Sequence, residues 1–203
     1  MEAMHITTLK EHIKDVDIYI LDQILKDRYQ SGAKILDAGC GSGRNLRWFY
    51  QPDYEIYGTD TNKDQLKFCQ ELYEKQKNNF KYSDIEETPY ESNYFDHVIC
   101  IAVLHFAKDL NQFLKMFDEL LRILKPQGSL LIRTATNIGI ENQVQKMSNG
   151  VFNLPDGSTR FLLTADILKD LEEDNRFKWI ENVKTTIVQN KRAMTTLVLQ
   201  KLL

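Results

Sequence analysis

The sequence has little of what would stabilise or localise a chain by special means. Its 203 residues include three cysteines, Cys40, Cys69 and Cys100, an odd number with no CxxC pair. This suits reduced thiols in a cytoplasm better than a disulfide framework. The three cysteines and four histidines show no metal-ligand spacing, so no metal is expected. No apolar run approaches the roughly 20 residues of a membrane span. The opening "MEAMHITTLKEHIKDVD" has no apolar h-region, so no secretory leader is expected. An excess of one charge is also missing. Twenty-six Lys and Arg face 29 Asp and Glu, a net charge of -3 that makes no overall case for nucleic acid or an anionic membrane. Internal repeats, low-complexity tracts and Pro/Ser-rich linkers are absent.

What is present reads as one domain over 1–203, ordinary in composition at 42% hydrophobic and 27% charged residues. From about Thr7 to Tyr29, apolar residues such as Leu9, Ile13, Val16, Ile20 and Leu25 fall at helical spacing, which predicts a helical cap within 1–30. Strands follow at "SGAKILDAG", "YEIYGTD", "FKYSD", "YFDHVICIAVLHF" and "SLLIRTAT". Helices separate them: one beginning at "NLRWFY", one in "NKDQLKFCQELYEKQK" with Asn62 as N-cap, and one over Leu110–Leu124 with a strong i, i+3, i+4, i+7 pattern stopped by "KPQG". This alternation predicts an α/β fold, a doubly wound and mainly parallel sheet. The irregular stretch 137–163 reads as an excursion, a possible lid. A helix at "TADILKDLEED" and two strands joined at "QNKR" end the chain, predicting an antiparallel terminal hairpin.

The stretch Gly39-Cys-Gly-Ser-Gly43 follows the first strand, where ligands sit in such sheets. Its amides and a following helix N-terminus would favour a negative group. Its spacing is G-x-G-x-G, with Arg44 where the third glycine of a dinucleotide fingerprint would stand. Three acids accompany it: Asp37 before the loop, Asp60 closing the second strand and Asp84 closing the third. Asp60 is placed to accept from ribose hydroxyls, and Asp84 from an adenine amino group. Three carboxylates argue against a pyrophosphate and suit a nucleoside with a cationic amino-acid chain.

These residues resemble the class I S-adenosylmethionine-dependent methyltransferases. "ILDAGCGSGRN" is similar to their first motif, "IYGTDTN" to the acidic second, "YSDIEETPYESNYFDHVICIAVLHF" to the third and fourth, and "LLRILKPQGSLLI" to the approach to their fifth strand. The resemblance covers about 34–136 and implies a Rossmann-like seven-stranded sheet with an antiparallel C-terminal strand. A looser likeness links the chain to the tellurite-resistance and thiopurine-like small-molecule branch.

The resemblance implies that Gly39, Cys40, Gly41, Ser42 and Gly43 lie under the methionine part of S-adenosylmethionine, with Cys40 and Ser42 contributing amides. It implies that Asp37 helps receive the ammonium and that Asp60 binds the ribose. Thr61 and Asn62 would lie beside the adenine, Asp84 and Ile85 would recognise it, and Ile101, Ala102 and Val103 would line the channel near the sulfonium. His105 is the catalytic candidate, as base or substrate contact, against a packed or capping histidine. His97 reads as structural; His5 and His12 read as surface residues. Arg133 and Tyr19 are the substrate-binding candidates. Arg133 suits an anionic substrate or a neighbouring carboxylate, while Tyr19, like Trp48, covers an acceptor pocket or packs a core. Arg44 and Arg160 are weaker candidates of the same kind. The family's Asn-Pro-Pro-Tyr signature is absent; "CIAV" stands there. This disfavours amino groups of DNA bases or protein amides as acceptors. The expectation is methyl transfer to a small-molecule acceptor by a cytoplasmic monomer or homodimer, without nucleic-acid or membrane partners. The alternatives are a macromolecular acceptor such as tRNA or a protein side chain within the same reaction, a non-catalytic S-adenosylmethionine-binding or partner-binding module and a nucleotide-linked oxidoreductase.

Overall fold

The structure is a computed structural model that describes residues 10, 11 and 13–203. The readings of His5 and His12 lie outside them. Five parallel strands form the centre: β1 (Lys34–Ala38), β2 (Glu55–Asp60), β3 (Phe80–Tyr82), β4 (Phe95–Ile101) and β5 (Leu124–Thr136). A small antiparallel sheet follows, β6 (Gln145–Lys146), β7 (Val151–Asn153) and β8 (Thr159–Phe161). Then β9 (Phe177–Trp179), β10 (Lys184–Val188) and β11 (Arg192–Lys201) complete the main sheet. Its order is β3-β2-β1-β4-β5-β11-β10, with β9 sharing the outer edge of β11. β11 runs antiparallel between β5 and both edge strands, so the expected terminal hairpin is there, with β9 as an extra edge piece.

Strand alternation divides the core into two layers, because successive side chains point to opposite faces. On β4, Val98 and Cys100 pack on one side with α3 (Leu110–Ile123), through Phe113, Phe117, Leu120 and Leu121. Ile99 and Ile101 pack on the other with α1 (Ile18–Leu25) and α2 (Lys63–Leu72), through Ile20, Leu66 and Cys69. A fourth helix, α4 (Ala165–Glu172), joins the first layer. α3 ends at Ile123, and the "KPQG" stop becomes a bulge in β5, with Gln127 at φ 64°.

Three local expectations change. The N-terminal helical pattern breaks at Lys14 (φ 36°); α1 begins only after Asp17, and Leu25 is exposed rather than buried. No α-helix follows the glycine loop; Arg44–Leu46 is a single 3-10 turn. Pro52 leaves too few residues for a cooperative helix, and Phe49 instead inserts between Tyr29 and Tyr54. The excursion 137–163 contains the small β6–β8 sheet. Among the described residues no helix is long and apolar enough to cross a membrane.

Asn62 caps α2 as expected, its side chain accepting from the amides of Asp64 and Gln65 at 3.0 and 3.2 Å. Asn62→Ala is expected to lower stability by about 1 kcal/mol in urea unfolding, the usual loss of a capping side chain.

Candidate functional site

The parallel strands end together at one edge of the sheet, and β1 lies where the chain order reverses between β2 and β4. A crevice at that point is the expected ligand position. A cavity of about 340 Å3 opens there, lined in part by Gly39, Asp60, Thr61, Asp84 and Ile85. Ile101, Ala102 and Val103 line it from the end of β4. Eight of the residues singled out in the sequence are thus brought to one cavity.

The loop itself is wound tightly. Gly39 has φ 77°, and a Cβ on it would meet Val103 Cγ2 at 2.5 Å. The amides of Gly39 and Cys40 both donate to Thr59 O, at 2.8 and 2.9 Å, and that of Gly41 donates to Asp60 Oδ2 at 2.8 Å. The amide of Cys40 is therefore committed inside the loop, because the chain must fold back onto β2 there; it shapes the loop and is not free for a ligand. Cys40, Gly41, Ser42, Gly43, Asp37 and Asn62 do not line the cavity. A Cβ on Gly41 would meet nothing within 4 Å, so the loop's backbone faces open space at that point. The Cys40 thiol, influenced by the neighbouring Cys69 thiol, which itself donates to Gly41 O at 3.1 Å, and by its own burial, is held well above the usual thiol range, which removes it as a nucleophile.

The three acids have different environments. Asp60 orders the loop: its Oδ1 accepts from Asn62 N at 2.8 Å while Oδ2 holds Gly41. Asp84 is exposed on the rim, with Oδ1 accepting from Glu86 N at 2.9 Å. Asp37 is fully buried, and among the described residues neither of its oxygens has a hydrogen-bond partner. Burial pushes its carboxyl up to about 7; Arg44 and Asn45 counteract this and the charges of Asp60 and Asp17 add to it.

At Ala102 the chain turns left-handed (φ 62°), and its amide donates to Arg133 O at 2.7 Å. Such a conformation is costly without glycine and clusters at functional sites. Here it marks the junction of two cavities. The second, of about 440 Å3, shares Ala102 and is lined by His105, Arg133, Arg160, Thr186, Met194 and neighbouring residues. His105 is buried and its Nδ1 accepts from Ala135 N at 3.3 Å, which leaves the proton on Nε2. Burial, with help from Arg160, lowers its pKa to about 4. His97, by contrast, is packed at the opposite end of the strand against Ser129 Oγ at 2.8 Å, a structural position.

Arg133 finds the neighbouring carboxylate that its position allowed: Nη1 is 3.1 Å from Asp17 Oδ2, and its guanidinium lies 5.3 Å from the Tyr19 ring centre. It also lines the second cavity, and its buried Nε has no partner. Tyr19 does not line that cavity; its hydroxyl bonds Thr186, which does. Arg44 donates to Asp15 O at 2.6 Å.

Ser83, Phe106, Gln112 and Met116 also line the first cavity and went unnoticed in the sequence. Gln112 and Met116 lie four apart on α3, so the helical pattern carried a signal for them. Phe106, exposed at the mouth, lies 4.9 Å from the Arg160 guanidinium of the second cavity. Nothing in the irregular segment announced that contact.

Comparison with known proteins decides what this site belongs to. Residues 36–132 match the family model described as a methyltransferase domain. Over this stretch the chain is similar to methyltransferase domains. The chain is 35% identical over 102 residues to the tRNA (carboxymethyluridine(34)-5-O)-methyltransferase of Arabidopsis thaliana, covering 50% of this chain and 24% of that protein. It is 29% identical over 103 residues to the malonyl-[acyl-carrier protein] O-methyltransferase of Salmonella typhimurium, covering 50% and 39%. The chain thus spans less than half the length of these curated relatives. An S-adenosylmethionine-dependent methyltransferase from Methanosarcina mazei shares the fold at a TM-score of 0.71 and 22% identity, over 89% of this chain and 97% of that one. These matches do not confirm the looser likeness to the tellurite-resistance and thiopurine-like branch.

The Methanosarcina mazei structure is described as dependent on S-adenosylmethionine, and the residues at this chain's cavity fit such a ligand. Asp60 and Asp84 line the cavity with hydrogen-bond acceptors suited to hydroxyl and amino groups. Ile85, Ile101 and Met116 supply apolar walls. The buried, unpartnered carboxylate of Asp37 behind the loop suits a cationic ligand.

Proposed function

We propose that the chain transfers a methyl group from S-adenosylmethionine to a small-molecule acceptor. The observation that carries this reading is the meeting of two cavities at Ala102. One is lined with acceptors for a nucleoside. The other is closed by the β6–β8 segment, which acts as the lid, and by the start of β11. The bound cofactor supplies an electrophilic methyl on a sulfonium for in-line displacement. The chain's task is to align the acceptor with it and to exclude water, worth several kcal/mol of barrier. His105, neutral with its proton on Nε2, serves as a hydrogen-bond donor that orients the acceptor; a pKa near 4 makes it a weak base at neutral pH. The volume of this cavity, about 440 Å3, is in the range that suits a small acceptor. The buried, unpaired thiols of Cys40, Cys69 and Cys100 suit a reducing cytoplasm.

Calorimetric titration with S-adenosylmethionine, S-adenosylhomocysteine and NAD tests the reading. Micromolar binding of the first two and none of NAD is expected; failure of both adenosyl compounds to bind would sink it. Asp60→Ala is expected to weaken binding by about 1–3 kcal/mol, the usual range for a charge-assisted hydrogen bond. An affinity equal to wild type would remove Asp60 from the cofactor site.

A further inference from the structure

The second cavity has a chemical character that the reaction class does not dictate. Three guanidiniums line it, from Arg133 on β5, Arg160 on β8 and Arg192 on β11, and no Asp or Glu does. Two of them have partners outside the lining. Arg133 pairs with Asp17, and Arg192, on the exposed side, pairs with Asp156. Among the described residues Arg160 has no carboxylate partner; it donates to Thr159 O at 2.7 Å and lies over the Phe106 ring. One positive charge is therefore left over, and the buried Nε of Arg133 offers an unused donor beside it. The hydroxyls of Ser158 and Thr186 add polar contacts, while Leu154, Val188 and Met194 make the rest apolar.

We infer that the methyl acceptor is an amphipathic oxyanion, a carboxylate or phosphate on an apolar body, whose acidic head lies among Arg160, Arg192 and Arg133. Guanidinium forks match planar and tetrahedral oxyanions and are the side chains best suited to them. The apolar body would lie against Leu154 and Met194 and present its reacting atom toward Ala102, where the cofactor cavity begins. This lining would select against cationic acceptors by charge repulsion and against neutral ones of equal size, because an acceptor without the anion leaves the Arg160 charge and the buried Nε of Arg133 without a partner. This inference rests on the methyltransferase reading above, which supplies the second ligand.

The test uses full-length protein saturated with S-adenosylhomocysteine and titrated with octanoate, octyl phosphate, octanol and octylammonium. Octanoate or octyl phosphate is expected to bind, and the preference between them assigns the head group; octanol and octylammonium are expected not to bind. Arg160→Gln and Arg192→Gln should each weaken the anion by about tenfold, as loss of a charge-assisted contact does, with S-adenosylhomocysteine affinity unchanged. Arg133 is left intact because its removal would strand the buried Asp17. Equal binding of octanol, no anion binding by the loaded protein, or variants that bind the anion like wild type would overturn the inference. Failure of S-adenosylhomocysteine itself to bind would instead overturn the reading on which it rests.

Discussion

Gly39→Ala is expected to destabilise the protein by about 2–5 kcal/mol and to abolish measurable S-adenosylhomocysteine binding. Two costs add. Alanine at φ 77° takes a left-handed conformation, about 1–2 kcal/mol for a residue with a Cβ. Its Cβ would also lie 2.5 Å from Val103 Cγ2, and overpacking of this kind costs about 1–3 kcal/mol. Either the loop or the end of β4 must move, and both line the cofactor cavity. Gly32 separates the two costs. It has φ 84° with nothing within 4 Å of a Cβ and lies away from this cavity, so Gly32→Ala should show the conformational cost alone, with ligand affinity intact. Adding Val103→Ala to Gly39→Ala should recover the packing part, a coupling read from a double-mutant cycle. Wild-type stability and affinity in Gly39→Ala would show that the loop is not built as described.

Asp37 should make the unliganded protein less stable as pH rises. Its carboxyl goes from the ordinary 3.8 in the unfolded chain to about 7 in the fold. Between these values the unfolded chain has lost the proton and the native state keeps it, so stability falls through this window and levels off above about pH 7. At 1.36 kcal/mol per pKa unit the full loss is on the order of 4 kcal/mol. His97 and His105 act in the opposite sense. Both are lowered by burial from 6.5 to about 4, so they remove stability as pH falls through that range. Asp37→Asn isolates the carboxylate: the difference between wild type and variant should widen from pH 4 to pH 7 in favour of the variant. A cationic ligand would favour the ionised carboxylate, so S-adenosylmethionine binding near pH 6 should release a proton. Calorimetry in buffers of different ionisation enthalpy would detect that release, and Asp37→Asn should lack it. Parallel pH profiles for the two proteins would show that Asp37 is not the buried titrating group.

The local contrasts show why some of this was legible in the sequence. Asn62, the pattern of α3 and the near-continuous apolar run of β4 are decided by neighbours within a few residues, and each appears where the spacing placed it. The helix expected after Gly43 fails because the tertiary demand on Phe49 and the nearby Pro52 override a weak local preference. Leu25 satisfies the helical spacing yet is exposed, since none of the described residues covers that side of α1.

For the site, the sequence by itself determined the glycine loop, the three acids and the strand ends that carry them, because a parallel sheet places every such end on one edge. Only the tertiary structure decided what those groups do to one another. It left Asp37 without a hydrogen-bond partner among the described residues, bound the amide of Cys40 to Thr59 O on β2 and set Asp17 against Arg133 across 116 positions of chain. It also gathered Arg133, Arg160 and Arg192 from three strands around one cavity. Their separations in sequence carry no period, and the cavity exists only where the β6–β8 segment folds back over the sheet; such contacts are fixed by packing and not by local spacing.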